Sequence, residues 1–267
     1  MFHASTCITS VAPSVARILG FAPPKCAGDG NPALDQLAAD AFSGRKADRA
    51  LLYNPDAIAH HLFAHYTDLF LPVLRHALLA LPMQSVMPSV TPVCFASMYT
   101  GALPDVHGIQ AYVKPVLTCD TLFDAAIRAG RKPTIVSTCG DSISKIFLDR
   151  PMDYFLYDTV EEVNARAEEL ICEDQYDLIV IYNGNYDATM HRFSPEAPES
   201  LQALRDNAAA FDRFARLVKQ HWTQHDTLLA FAPDHGCHPI DGGLGSHGLD
   251  MPEDMLIPHF YGAVPRH

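Results

Sequence analysis

The stretch LIVIYNGNYDATMH, residues 178–191, decides how the chain is read. Its first five residues are an apolar, β-branched run that reads as a buried strand over 178–182. A four-residue loop follows, then Asp187 and His191. Four positions apart on a helix, these two share one face. Taken alone they are a surface turn followed by an ordinary histidine. Their weight comes from the rest of the chain, where the same unit recurs. Apolar strands are predicted at 49–53, 134–137, 154–157, 228–232 and 257–261, and helix-type spacing runs over 121–129, 160–172 and 200–222. Alternating strands and helices argue for an α/β fold, a three-layer αβα sandwich whose central sheet is largely parallel and covered on both faces.

Open sheets of this kind bind ligands beyond the carboxyl ends of their strands. Asp56 follows one predicted strand, Asp187 a second and Asp234 a third. Three acids would gather on one rim, an arrangement that costs energy unless cations neutralise it, because close carboxylates cannot all stay ionised. Borderline ligands stand nearby. His191 shares a helix face with Asp187, His235 adjoins Asp234, and His247 lies in the glycine-dense run DGGLGSHG, residues 241–248, where backbone freedom lets a side chain be aimed inward. The order reads as a site for two divalent ions.

Upstream, PSVTP at residues 88–92 opens a helical stretch that Gly101 can stop. A threonine before a first-turn proline marks a helix start, and the ordinary reading of Thr91 is a cap. The same geometry suits phosphoryl chemistry, because free N–H groups at a helix start would hold phosphoryl oxygens. The hydroxyl is a weak nucleophile until a metal lowers its pKa.

With 267 residues, 48% of them apolar, the chain can bury a sizeable core. A formal charge of -12 argues against a nucleic-acid polymer or an anionic membrane as partner. A phosphate-bearing substrate would be drawn in locally by two dications, which reverse the sign of the field in the pocket. Seven cysteines, at 7, 26, 94, 119, 139, 172 and 237, show no CxxC spacing and signal neither a disulfide framework nor a cysteine zinc site. No transmembrane-length apolar run and no secretory pattern is read, so a reducing cytoplasm is the expected home. An amphipathic helix at 10–20, a Pro/Gly-rich connector at 21–32 and helical spacing over 57–81, interrupted near Pro72, complete the organisation. Residues 1–46 are expected to form an N-terminal extension packed on a core domain of 47–267.

The run PSVTPVCFASMYTGALPDVHGI, residues 88–109, resembles the nucleophile segment of the alkaline phosphatase superfamily, in its branch of type I phosphodiesterases and nucleotide pyrophosphatases. The later pieces DATMH, APDHG and GSHG resemble that branch's metal motifs in order. This likeness spans about residues 49–262 and implies an alkaline phosphatase-like fold. It implies that Asp56, Thr91, Asp234 and His235 surround one metal and Asp187, His191 and His247 the other. Zinc suits the mixed nitrogen and oxygen donors, with manganese or iron as alternatives. The implied chemistry is attack of the Thr91 hydroxyl on a small phosphate ester, then release of the phosphoryl group by water.

The chain departs from the pattern in two places. Cys94 stands where relatives carry an asparagine that donates to a phosphoryl oxygen, and a thiol is a poor donor. Eleven residues, 236–246, separate His235 from His247, where relatives insert a long cap. The pocket is then expected to be open and completed by the N-terminal segment, by residues 110–119 and by neighbouring subunits of a homo-oligomer. Asn185, Tyr186 and His238 are further candidates to line it, while His107 reads as structural. Two alternatives stay open: hydrolysis of a phosphonate, as in phosphonoacetate hydrolase, and a metal-binding protein of the same fold without catalysis.

Overall fold

In strand β1 (Arg49–Pro55) every residue is buried, with Ala50 and Leu52 in one apolar layer and Leu51 and Tyr53 in the other. The period-two alternation of a pleated strand thus serves a sheet covered on both faces. The remaining strands are β2 (Leu79–Gln84), β3 (Pro133–Thr138), β4 (Asp153–Tyr157), β5 (Leu178–Asn183), β6 (Thr227–Phe231), β7 (His238–Ile240), β8 (Leu244–Ser246) and β9 (Leu256–Val264). Seven of them form one sheet in the order β2-β9-β6-β1-β5-β3-β4, and β7 and β8 pair as a separate hairpin. Strands β6, β1, β5, β3 and β4 run parallel, whereas β9 lies antiparallel to both β6 and β2. The computed structural model describes residues 6–267; residues 1–5 of the N-terminal segment lie outside the described residues.

Helices Val11–Ile18, Pro32–Ala41, Thr91–Thr100, Leu122–Arg128 and Ser142–Ile146 contribute buried residues to one apolar layer. Helices His60–His65, Leu71–Leu74, Val160–Glu173, Asn185–Phe193 and Pro198–His221 contribute to the other. The three-layer α/β architecture with a mostly parallel sheet is the one the alternation predicts. No helix among the described residues is long and apolar enough to cross a membrane.

Two local expectations are corrected. The stretch 57–81 is no single interrupted helix: it breaks into His60–His65, a 3-10 turn Thr67–Phe70, Leu71–Leu74 and the edge strand β2. The connector expected over 21–32 ends in a helix, Pro32–Ala41, whose start is capped by Asn31 accepting from the Ala33 N–H at 2.9 Å. Helix Val11–Ile18 buries all its residues but Arg17, so this part of the N-terminal segment is core.

The order β6-β1-β5 positions the site. These adjacent parallel strands end side by side, and Asp234, Asp56 and Asp187 follow them.

Candidate metal centre

Asp56 leaves β1 on a tight turn, its N–H donating to Asn183 O at 3.0 Å. The next residue, Ala57, has a φ of 63°, a left-handed conformation that costs a non-glycine residue energy. That turn aims the Ala57 N–H at Asp234 Oδ1, 3.3 Å away. Behind it, the Tyr182 hydroxyl at the end of β5 donates to Asp56 Oδ2.

Thr91 is the first residue of its helix, but it does not cap it. The cap position is Val90, with no side-chain cap hydrogen bond. The Thr91 hydroxyl instead lies 3.3 Å from Asp56 Oδ2 and 3.3 Å from His235 Nε2. One expectation fails here. The N–H groups of Val93 and Cys94 both donate to Val90 O, and Pro92 has none, so the helix start offers fewer free donors for phosphoryl oxygens than expected.

The seven sequence-predicted positions come together. Asp56, Asp234 and His235 form one group, with Thr91 against it, and Asp187, His191 and His247 form the other, the ligand atoms within each trio lying within 4.8 Å of one another. Nε2 of His235 lies 3.3 Å from Asp56 Oδ1 and 3.4 Å from Asp234 Oδ2. Nε2 of His191 and of His247 approach Asp187 Oδ1 at 3.3 and 3.4 Å. The His235 and His247 rings stack at 4.1 Å between centroids, which joins the two trios into one centre.

Each imidazole is oriented from behind. Nδ1 of His191 meets Gly245 O at 3.0 Å, Nδ1 of His247 meets Ser89 O at 2.9 Å, and Nδ1 of His235 meets Gly236 O at 2.9 Å. A carbonyl accepts only, so each Nδ1 carries the hydrogen, and in the neutral ring Nε2 is left with a lone pair for a cation. Two of these contacts need glycine. A Cβ on Gly236 would stand 2.0 Å from Glu253 O, and one on Gly245 would stand 2.6 Å from Met190 O.

Acceptors therefore face acceptors. Asp56 Oδ1, Asp187 Oδ1 and Asp234 Oδ2 are buried with no hydrogen-bond partner. Three orphaned carboxylate oxygens, each beside an imidazole nitrogen, form a donor set that could hold divalent cations. Burial, and then the Asp187 charge, pushes the Asp56 carboxyl up to about 7. Burial, then Asp56, pushes Asp234 well above the ordinary carboxylate value. His235 is driven down to about 3 by burial and by His247. Against the upward push of burial, His191 and His247 hold Asp187 well below the carboxylate range.

The pocket-lining candidates fare differently. Cys94 is fully buried, its thiol 3.1 Å from Ser85 Oγ and beside the carbonyls of Val86 and Pro88. That leaves no donor for a phosphoryl oxygen. Tyr186 is buried too; its hydroxyl donates to Pro195 O at 3.0 Å, so it supports the helix instead of lining a pocket. Asn185 opens helix Asn185–Phe193 and reaches toward Ala203 O at 3.5 Å. The His238 ring is fastened to Asp254 at 2.7 Å, and Asp254 also accepts from the Leu249 N–H, which braces the loop carrying His247. His107 has a framework role: its Nε2 is 2.9 Å from Ser97 Oγ, and burial lowers it to about 4. Between His235 and His247 the chain forms the hairpin β7–β8, its turn made by Gly242 and Gly243 at positive φ. A groove of about 1420 Å³ runs beside Pro88, Gly101 and Asp250, and none of the seven ligand positions lines it.

Sequence reasoning missed Tyr182, Ser89 and Gly245. Tyr182 was legible as the last residue of a strand; the two carbonyl partners carry no side-chain signal.

Residues 137–251 match the family model of type I phosphodiesterase / nucleotide pyrophosphatase, a span that holds Asp187, His191, Asp234, His235 and His247. The resemblance read from the sequence holds. Human ectonucleotide pyrophosphatase/phosphodiesterase family member 7 is 31% identical over 90 residues, 33% of this chain. The match spans only 18% of that relative's length. Two structures of murine ectonucleotide pyrophosphatase/phosphodiesterase 5 superpose with a TM-score of 0.60 at 14% and 15% identity. They cover 82% and 81% of this chain and 88% of theirs, and one is an inactive form in complex with AMP. At that identity they speak to the fold alone, which this chain shares with the murine protein.

Proposed function

We propose that this protein is a hydrolase of small phosphate esters that works through two divalent ions, with zinc as the first choice, and a Thr91 nucleophile. One observation carries the reading. Thr91, the first residue of its helix, turns its hydroxyl inward to Asp56 and His235, 3.3 Å from each.

Asp56, Asp234 and His235 would hold one ion and Asp187, His191 and His247 the other. When bound, such a pair supplies the positive charge that lowers the hydroxyl's pKa and steadies the leaving oxygen. The chain does the rest. Asp56, fixed by Tyr182, sits where it can accept the Thr91 proton. Thr91 Oγ1 forms a bond to phosphorus as the ester oxygen departs. Water then cleaves the phosphoryl-threonine and restores the hydroxyl. The absence of a cap beyond the β7–β8 hairpin favours small esters entering an open site. The murine relative's complex with AMP makes nucleotide esters the first natural candidates.

The test is turnover of bis-p-nitrophenyl phosphate and p-nitrophenyl phosphate by protein loaded with zinc. Release of p-nitrophenol from either is expected. Metal-loaded protein inert toward both, and toward nucleotide esters, would overturn the proposal.

A further inference from the structure

Cys26 and Cys119 are 93 residues apart in sequence, so spacing gives no hint of a pair. The fold brings their sulfurs to 2.7 Å. Contacts on either side keep them there. The Lys25 N–H donates to Asp120 Oδ2 at 2.8 Å, and Cys26 Sγ lies 3.4 Å from Asp120 O and 3.7 Å from Thr100 O. Asp120 is itself gripped by both terminal nitrogens of Arg128. Next to Cys119, the Leu117 N–H donates to Ile146 O at 2.8 Å, and Arg150 bonds the carbonyls of Leu117 and Cys119. Two chain segments are therefore already joined before any sulfur reacts, and both cysteines remain partly exposed to a reagent in solution. Cys94 and Cys237 are buried, and Cys139 and Cys172 are exposed.

We propose that Cys26 and Cys119 are an oxidisable pair, converted to a disulfide by exchange with a small-molecule disulfide such as oxidised glutathione, and that the bond restrains the segment 109–121. In the exchange one protein sulfur bonds to a glutathione sulfur and expels the first glutathione thiol. The second protein sulfur attacks that mixed disulfide and expels the other. Two protein thiols lose two electrons and two protons, and one small disulfide becomes two thiols. Burial, then the contact with Cys119, pushes the Cys26 thiol up to about 12. The restrained segment includes residues 110–113, which form no helix or strand and carry the exposed Tyr112 ring. This inference does not depend on the proposed hydrolase activity.

The experiment equilibrates the native full chain in oxidised and then reduced glutathione, blocks free thiols by alkylation, and maps peptides without reduction. Oxidation is expected to remove two of the seven thiols and yield one cross-linked peptide joining Cys26 to Cys119, absent after reduction. Chymotryptic cutting after Tyr112 should slow several-fold in the oxidised protein. Cys26→Ser and Cys119→Ser should each abolish the cross-link, whereas Cys172→Ser leaves it. Recovery of both cysteines as free thiols or as separate glutathione adducts, or a cross-link through another pair, would overturn the assignment whether or not the variants fold. An unchanged cutting rate in cross-linked protein would overturn the restraint.

Discussion

The two ligand trios differ in how they settle their own charge. Asp56, Asp234 and His235 are almost wholly buried, and two carboxyls there share one imidazole that burial keeps neutral. The other trio has the reverse composition, one carboxylate between two imidazoles, and His191 is 41% exposed. Protons on His191 and His247 can satisfy Asp187, and both histidines are raised above their ordinary value, His247 in spite of its burial. On the inner side Tyr182 and the Ala57 N–H each reach one oxygen of Asp56 and Asp234, but the lone imidazole is kept neutral, and both carboxyls are pushed up. The inner trio needs a cation to ionise, while the outer one has protons as a substitute. At neutral pH the inner position should therefore hold its ion more firmly and exchange it more slowly.

Removing the hydroxyl that leans on the inner trio gives the largest expected effect. Thr91→Ala should lower turnover by on the order of 10^3-fold or more, the scale of losing a nucleophile, with both ions retained. Metal analysis beside the assay checks it, and a variant keeping full activity removes the threonine from the chemistry. Next in size is the contrast between trios. Asp234→Asn should weaken inner-site binding by more than about 100-fold, exceeding what loss of an orienting partner costs. His191→Ala should leave one firmly held ion per chain. Equal metal loss in the two variants would break the comparison. Tyr182→Phe, which frees Asp56 Oδ2, should cost about 10-fold to 100-fold in inner-site affinity by titration calorimetry, with the outer site unmoved.

The pH dependence follows from the same carboxyls. Asp56 and Asp234 have raised folded pKa values, so the metal-free folded chain keeps protons that the unfolded chain releases above the ordinary carboxylate range. Folded stability of the stripped protein then falls as pH rises through that window, up to about 7 for Asp56. A divalent ion bound there would replace those protons and remove the penalty. The melting temperature gained on reloading stripped protein should be larger at pH 8 than at pH 5. A gain independent of pH would mean that the inner carboxyls are already satisfied.

The seven candidate positions converge for reasons that local pattern states: Asp56, Asp187 and Asp234 follow apolar strands, His191 lies four positions along a helix from Asp187, His235 adjoins Asp234, His247 sits in a glycine-dense run and Thr91 opens a helix. Other features were hidden for identifiable reasons. Strand β2, LALPMQ, lies at the sheet edge with alternating exposure, where leucine and alanine suit a helix equally well and Pro82 is tolerated. The helix Pro32–Ala41 was masked by the Pro/Gly cluster before it, although Asn31 followed by proline is itself a helix-start signal. The role of Tyr182 depends on β1 and β5 being neighbours, a tertiary fact that no local pattern states. The Cys26–Cys119 contact is hidden for the same reason.

Tyr186 supplies the smallest and sharpest test, because its neighbour in sequence is Asp187. A reading based on proximity along the chain puts its ring in the substrate pocket. The helix turns it the other way, into the layer with Met190 and Cys237, and its hydroxyl meets Pro195 O at 3.0 Å and Cys237 Sγ at 3.6 Å. Tyr186→Phe keeps the ring and deletes one buried donor, which costs about 1 kcal/mol of folding stability. The expected result is a melting temperature lowered by a few degrees, on the order of 2–4 °C. Neither KM nor kcat should change by more than about twofold, the equivalent of less than 1 kcal/mol in transition-state binding. A clear rise in KM with unchanged melting would return the phenol to the pocket and shift the substrate to the inward side of helix Asn185–Phe193.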